Sequence, residues 1–99
     1  MLNINKTAED GKLTVVLEGR LDTTTAPQLE AELKNSLDGV SELAFEMKAL
    51  DYISSAGLRV LLSAQKVMNK QGDMKLYHVN DTIMEIFEVT GFSDILTIE

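Results

Sequence analysis

The chain alternates between two hydrophobic periods, and that alternation constrains its fold more than any other feature. Leu13 to Glu18 (LTVVLE) is rich in β-branched residues and reads as a strand. Leu29, Leu33 and Leu37 then recur at intervals of four, the stripe of an amphipathic helix. Glu42 to Met47 (ELAFEM) is a strand again. Leu58, Leu61, Leu62 and Met68 share one face of a second helix. Lys75 to Val79 (KLYHV) follows as a strand, and Ile83, Ile86 and Phe87 stripe a third helix. Ile95 to Ile98 reads as a last, short strand. At the start, Leu2 to Thr7 alternates apolar with polar, and Glu9-Asp10-Gly11-Lys12 signals a tight turn into Leu13. The order is therefore β-β-α-β-α-β-α-β. Strands separated by helices imply a mostly parallel sheet, and the short first connection adds an antiparallel N-terminal hairpin. The expected class is α/β, with the helices packed on the sheet.

Punctuation residues refine these limits. Thr25 is placed to cap the first helix, with Gln28 completing a capping box and Pro27 in the first turn. Gly39 is expected to end that helix. Ser54 or Ser55 opens the second, and Gln71-Gly72-Asp73 closes it. Asn80 caps the third and Gly91 ends it. The second helix carries a further apolar face at Val60, Ala64 and Val67, wider than packing on one sheet face requires.

At 99 residues and with no linker or repeat, residues 1–99 are expected to form a single domain. Nine basic and sixteen acidic residues give a net charge of −7, which argues against binding nucleic acid or an anionic membrane surface. There is no cysteine, so disulfides, thiolate zinc sites and cysteine nucleophiles are excluded. No apolar run is long enough to span a membrane, and the first residues lack the features of a signal peptide. A cytoplasmic location without membrane insertion is the expectation.

In open α/β sheets, sites lie beyond the carboxyl ends of the strands. Three segments leave those ends: Gly19–Thr24, Lys48–Ser55 and Val79–Asp81. They supply hydroxyls and carboxylates but no nucleophile–base pair, so no catalytic residue, metal ligand or cofactor is expected. His78, the lone histidine, falls in a predicted strand without a second metal ligand and reads as structural. The segment Ser54-Ser55-Ala56-Gly57 carries the most chemistry. A serine at a helix start ordinarily caps it. Here Ala56 and Gly57 also leave the backbone uncovered for close approach by another protein. A phosphate on Ser55 would meet free N–H groups at the positive helix end and add charge beside Asp22 and Asp51.

The stretch Tyr52-Ile53-Ser54-Ser55-Ala56-Gly57-Leu58-Arg59-Val60-Leu61-Leu62 resembles the signature of STAS domains, especially bacterial anti-sigma factor antagonists. Leu17-Glu18-Gly19-Arg20-Leu21-Asp22 with Thr25-Ala26 is similar to the family's segment before its first helix. Ile86-Phe87-Glu88-Val89-Thr90-Gly91-Phe92 resembles its last helix. The resemblance implies a protein that binds an anti-sigma factor with serine kinase activity and thereby frees a sigma factor. Phosphorylation of a serine at the start of the second helix would end the interaction, and a serine phosphatase would reset it. Matching on Gly57 places the acceptor at Ser55, with Ser54 as the fallback. The family's preceding aspartate is Ser54 here, and its following hydroxyl residue is Ala56. The implied partner-binding residues are Asp22, Thr23, Thr24, Asp51, Ser54, Ser55, Ala56, Gly57, Arg59 and Val60. Arg59 is either a solvated side chain or a partner for that phosphate. The alternative within the family is a constitutive adaptor that holds the ATPase of an ABC lipid transporter. A weaker alternative is an enzyme in which Asp22, Asp51 and Asp81 gather around a divalent cation.

Overall fold

The computed structural model describes Met1–Glu99. Strand β1 (Leu2–Glu9) turns at Asp10-Gly11 into β2 (Lys12–Leu21). Both turn residues have positive φ, 46° and 82°, the geometry that matches the twist of an antiparallel hairpin. The chain continues through α1 (Ala26–Lys34), β3 (Glu42–Ile53), α2 (Ser55–Gln71), β4 (Asp73–Tyr77) and α3 (Asp81–Thr90). The sheet order is β1-β2-β3-β4, with β1 antiparallel to β2 and both later pairings parallel. The α/β class and the N-terminal hairpin are as the sequence implies.

One contiguous core joins sheet and helices. The strand residues in it, among them Leu13, Val15, Leu17, Leu43, Phe45 and Leu76, share one face of the sheet. The helices therefore cover that face alone. The other face shows Thr14, Glu46, Lys75 and Tyr77 to solvent. Ile83 and Phe87, fully buried, fasten α3 to this core. Burial of each contributes about 2 to 3 kcal/mol, against about 1 kcal/mol for a helix cap. Burial thus decides that α3 docks, while Asn80 decides where it starts: its Oδ1 accepts the Ile83 N–H at 2.9 Å.

Several boundaries differ from the sequence reading. β2 runs on to Leu21 and β3 to Ile53, so Gly19–Leu21 and Lys48–Ile53 are strand and not loop. The cause is irregular register. Val16 pairs with Glu46 but Glu18 with Ala49, and Gly19 pairs with Leu50 but Arg20 with Tyr52. Each shift inserts one extra residue into β3, the second being Asp51. Such bulges break the alternation that marks a strand. Helix α1 ends at Lys34 and not at Gly39, yet Leu37 stays buried because the Leu37 N–H still bonds the Leu33 carbonyl at 3.1 Å. β4 ends at Tyr77, so His78 lies outside the strand with φ of 57°. Its Nδ1 stands 2.8 Å from Glu46 Oε2. The last strand is reduced to one parallel bridge between Leu76 and Ile98. Gly91, at φ 82°, turns the chain into a short 3-10 helix at Phe92–Asp94 just before it.

The α2–β4 connection depends on Gly72, where a Cβ would overlap the backbone carbonyl of Ser41. That contact is backbone against backbone and has no side chain to yield. Gly72→Ala is expected to destabilise the protein by about 2 kcal/mol or more. The midpoint of thermal unfolding should fall by about 10 °C; an unchanged midpoint by circular dichroism would refute the contact.

Candidate functional site

The parallel strands β2 and β3 end side by side at Leu21 and Ile53, which are paired. The Ser54 N–H donates to the Leu21 carbonyl at 2.9 Å and closes the ladder. The chain then enters α2 with only Ser54 between strand and helix. Ser54 is the N-cap, its Oγ accepting the Gly57 N–H at 3.4 Å, while its carbonyl accepts the Leu58 N–H at 2.9 Å. Ser55 is the first helical residue, and its side chain is exposed. The first N–H groups of a helix have no intrahelical partner and carry the positive end of its dipole. The Ser55 hydroxyl therefore sits where an added phosphate would be electrostatically favoured.

Gly57 does something other than open the backbone to a partner. It is buried, and a Cβ there would stand 2.7 Å from Leu21 Cγ and 2.8 Å from Ile53 Cγ1. Its missing side chain lets the first turn of α2 rest on the ends of β2 and β3. Ala56 is half-buried against the same core. Val60 is also buried, facing α1, so it reaches the surface only as the wall of a groove. Arg59 is exposed and lies one turn along from Ser55.

On the neighbouring strand end, Asp22 organises a compact turn. Its Oδ1 accepts the Thr24 hydroxyl at 2.7 Å, the Thr24 N–H at 3.0 Å and the Thr25 N–H at 3.1 Å. Thr25 forms no capping box. Its Oγ1 accepts the Asp22 N–H and donates to the Arg20 carbonyl, each at 2.8 Å. The carboxylate serves the turn before the helix, while the Ala26 N–H bonds the Asp22 carbonyl at 2.8 Å and the Gln28 N–H the Thr25 carbonyl at 3.0 Å. Gln28 reaches instead to the Leu2 carbonyl at 3.4 Å. The Thr24 hydroxyl bond, with the N–H groups of Thr25 and Thr24, outweighs partial burial and holds the Asp22 carboxyl down at about 2, from 3.8. Thr23 and Thr24 are exposed on this turn, and Asp51 is exposed from the bulge of β3. Asn80 ties the third strand end in, donating to the Leu50 carbonyl at 2.8 Å.

Two features were missed in the sequence. The Arg20 guanidinium lies 4.5 Å from the centroid of the Tyr52 ring, and its Nε is 3.7 Å from Asp22 Oδ2. Both residues were visible, but their pairing depends on the second bulge. The second feature is the groove between α1 and α2, hinted at by the extra apolar face of α2. The cation-binding alternative fails: Asp22, Asp51 and Asp81 are not gathered, and no group of acidic or histidine side chains is arranged to hold a metal. What the edge offers is an exposed hydroxyl on a helix end, a fixed acidic turn and a stacked arginine.

The pattern of the STAS domain matches residues 3–99. The chain is 41% identical to a Bordetella bronchiseptica protein named provisionally as an anti-sigma factor antagonist, BtrV, across 90% of this chain and 78% of that one. It is 35% identical to the anti-sigma-B factor antagonist of Staphylococcus aureus, across 96% of this chain and 90% of that one. Its fold is similar to the Bacillus cell fate determinant SpoIIAA in the phosphorylated form, with a TM-score of 0.75 at 16% identity, covering 100% of this chain and 91% of that one.

Two tests follow from the geometry. Gly57→Ala should cost about 1 to 3 kcal/mol in chemical denaturation, since Leu21 and Ile53 are buried and cannot step aside; a neutral effect would mean the helix start is loosely packed. The depressed Asp22 carboxyl favours the folded state above its ordinary value of 3.8, and that contribution is lost as pH falls through about 2. Asp22→Ala should therefore be less stable than the parent at neutral pH, with the gap closing toward pH 2. Carboxyl titration by NMR should place the Asp22 midpoint well below the others, and a midpoint near 4 would contradict the turn.

Proposed function

The chain belongs to the STAS domain family, and we propose that it acts there as an anti-sigma factor antagonist governed by phosphorylation of Ser55. In this reading it binds an anti-sigma factor that is also a serine kinase, and binding frees a sigma factor. The kinase phosphorylates Ser55, the complex dissociates, and a serine phosphatase restores the binding form. The protein is a binding module and not an enzyme.

The observation that carries this reading is the placement of Ser55. It is the first residue of α2, exposed, and directly beyond the paired ends of β2 and β3. A phosphate there would add about −1.5 to −2 charges at a helix N-terminus that tolerates them. The fold would survive while the surface offered to a partner changed sign and hydration. Arg59, four residues on, is within reach of such a phosphate in an i,i+4 pair. The names of the relatives support the antagonist role, and the phosphorylated form of SpoIIAA supports the switch.

Ser54 in place of the family's aspartate does not count against this. Serine and aspartate are near-equal N-caps, and Ser54 caps α2. The constitutive-adaptor alternative drew on that lost carboxylate and has no structural observation of its own.

With the cognate kinase and ATP, the parent protein should take up one phosphate, and Ser55→Ala none, by intact mass. Full uptake by Ser55→Ala would move the acceptor, with Ser54 next to be tested. Ser55→Asp should bind the kinase at least about tenfold more weakly, a loss of about 1.4 kcal/mol; undiminished binding would defeat the switch.

A further inference from the structure

Within an acidic chain, α2 is a basic element. None of its 17 residues is acidic, and it carries Arg59, Lys66 and Lys70. α3, by contrast, carries Asp81, Glu85 and Glu88 and no basic residue. At 100° per residue, Arg59, Lys66 and Lys70 fall on one line along the helix, and all three are exposed. None of them enters an ion pair; the pairs present are Lys6–Glu32, Arg20–Asp22 and His78–Glu46. Like charges spaced as Lys66 and Lys70 are cost a helix stability. Lys70 gains from the C-terminal end of the helix dipole, but no acidic side chain pairs with any of the three.

Beside this basic line, α1 and α2 leave an apolar groove of about 190 Å³. Leu33, Leu37, Val60 and Ala64 are its buried floor, and Val67, 41% exposed, forms its lip. Ser63 and Val67 are the residues that separate groove from cations around the helix. Val60, Ala64 and Val67 follow the i, i+4, i+7 spacing that accepts the ridge of another helix. On the opposite wall, Glu30 and Lys34 offset each other.

We propose that the groove and the basic line together receive an amphipathic, acidic α-helix of a partner protein. Its apolar ridge would lie over Val60, Ala64 and Val67, and its carboxylates would face Arg59, Lys66 and Lys70. Charge complementarity selects this occupant. The apolar groove takes side chains in a row, and the cations flank it on one side, as an amphipathic helix requires. An anionic bilayer would meet the acidic remainder of a protein of net charge −7. This docking surface runs along the flank of α2 and does not depend on Ser55 being phosphorylated.

The test uses the full chain, labelled with nitrogen-15, and a synthetic amphipathic helical peptide of about five turns with a leucine ridge flanked by glutamates. Resonance shifts should cluster at Leu33, Leu37, Val60, Ala64 and Val67. R59E/K66E/K70E should weaken binding at least about tenfold. K12E/K48E/K75E makes the same change in net charge at exposed lysines away from the groove and should bind as the parent does. All six positions are exposed, so both variants are expected to fold, which their spectra report. Absence of binding, shifts outside the groove, an equal loss in the second variant, or equal binding of a lysine-flanked peptide would each overturn the proposal. So would preferential binding to phosphatidylserine vesicles that R59E/K66E/K70E abolishes, which would make the line a membrane contact. Phosphate uptake at Ser55 is scored separately, so failure of the groove and failure of the switch remain distinguishable.

Discussion

Everything at the functional edge depends on how closely α2 approaches the sheet. The Ser54 N–H bonds the Leu21 carbonyl, and Gly57 rests on Leu21 and Ile53 where a Cβ would not fit. These contacts leave only Ser54 between β3 and α2. The first turn of the helix is thereby held at the mouth of the sheet. Ser55 owes its exposure and its electrostatic setting to that approach. Gly57, expected from the sequence to leave the backbone uncovered, packs internally against Leu21 and Ile53.

The second contribution comes from β3, which pairs with β2 and β4 in parallel. Its two register shifts let the strand continue to Ile53 while displacing Asp51 from the ladder. Bulges of this kind re-aim side chains beside sites. Here they bring Tyr52 opposite Arg20, so that the guanidinium stacks on the ring and lies near Asp22. The Asp22 turn is satisfied from within by Thr24 and Thr25. It is a fixed acidic landmark at the strand end that precedes the proposed phosphoacceptor.

Charge in this protein acts through its placement. The total of −7 describes an acidic, repulsive background, but α2 is free of acidic residues while α3 is free of basic ones. A phosphate at the head of α2 would alter the most cationic element of the chain. The same helix therefore joins the proposed switch at its start to the proposed docking surface along its flank, within a few turns of each other.

The element order and fold class were legible in the residues, because hydrophobic period and local propensity are properties of short segments. Leu13, Val15 and Leu17 announce a strand, Ile83 and Phe87 a helix, and Asn80 and Gly91 its ends. The motif around Ser55 was equally local. What the residues could not show is whatever depends on a neighbour distant in sequence. Lys48–Ile53 failed to alternate because two bulges, set by pairing with β2, broke the pattern. Thr25 does not cap α1 through its side chain, because the turn engages its hydroxyl with the Asp22 N–H and the Arg20 carbonyl. Gly57 is closed off by Leu21, far away in the chain. His78 lies past the strand end in a left-handed conformation, with Glu46 of β3 beside it. Sequence determined which elements form and which residue carries the hydroxyl; only tertiary packing decided register, burial and approach, because these are energies of contact between segments far apart in the chain.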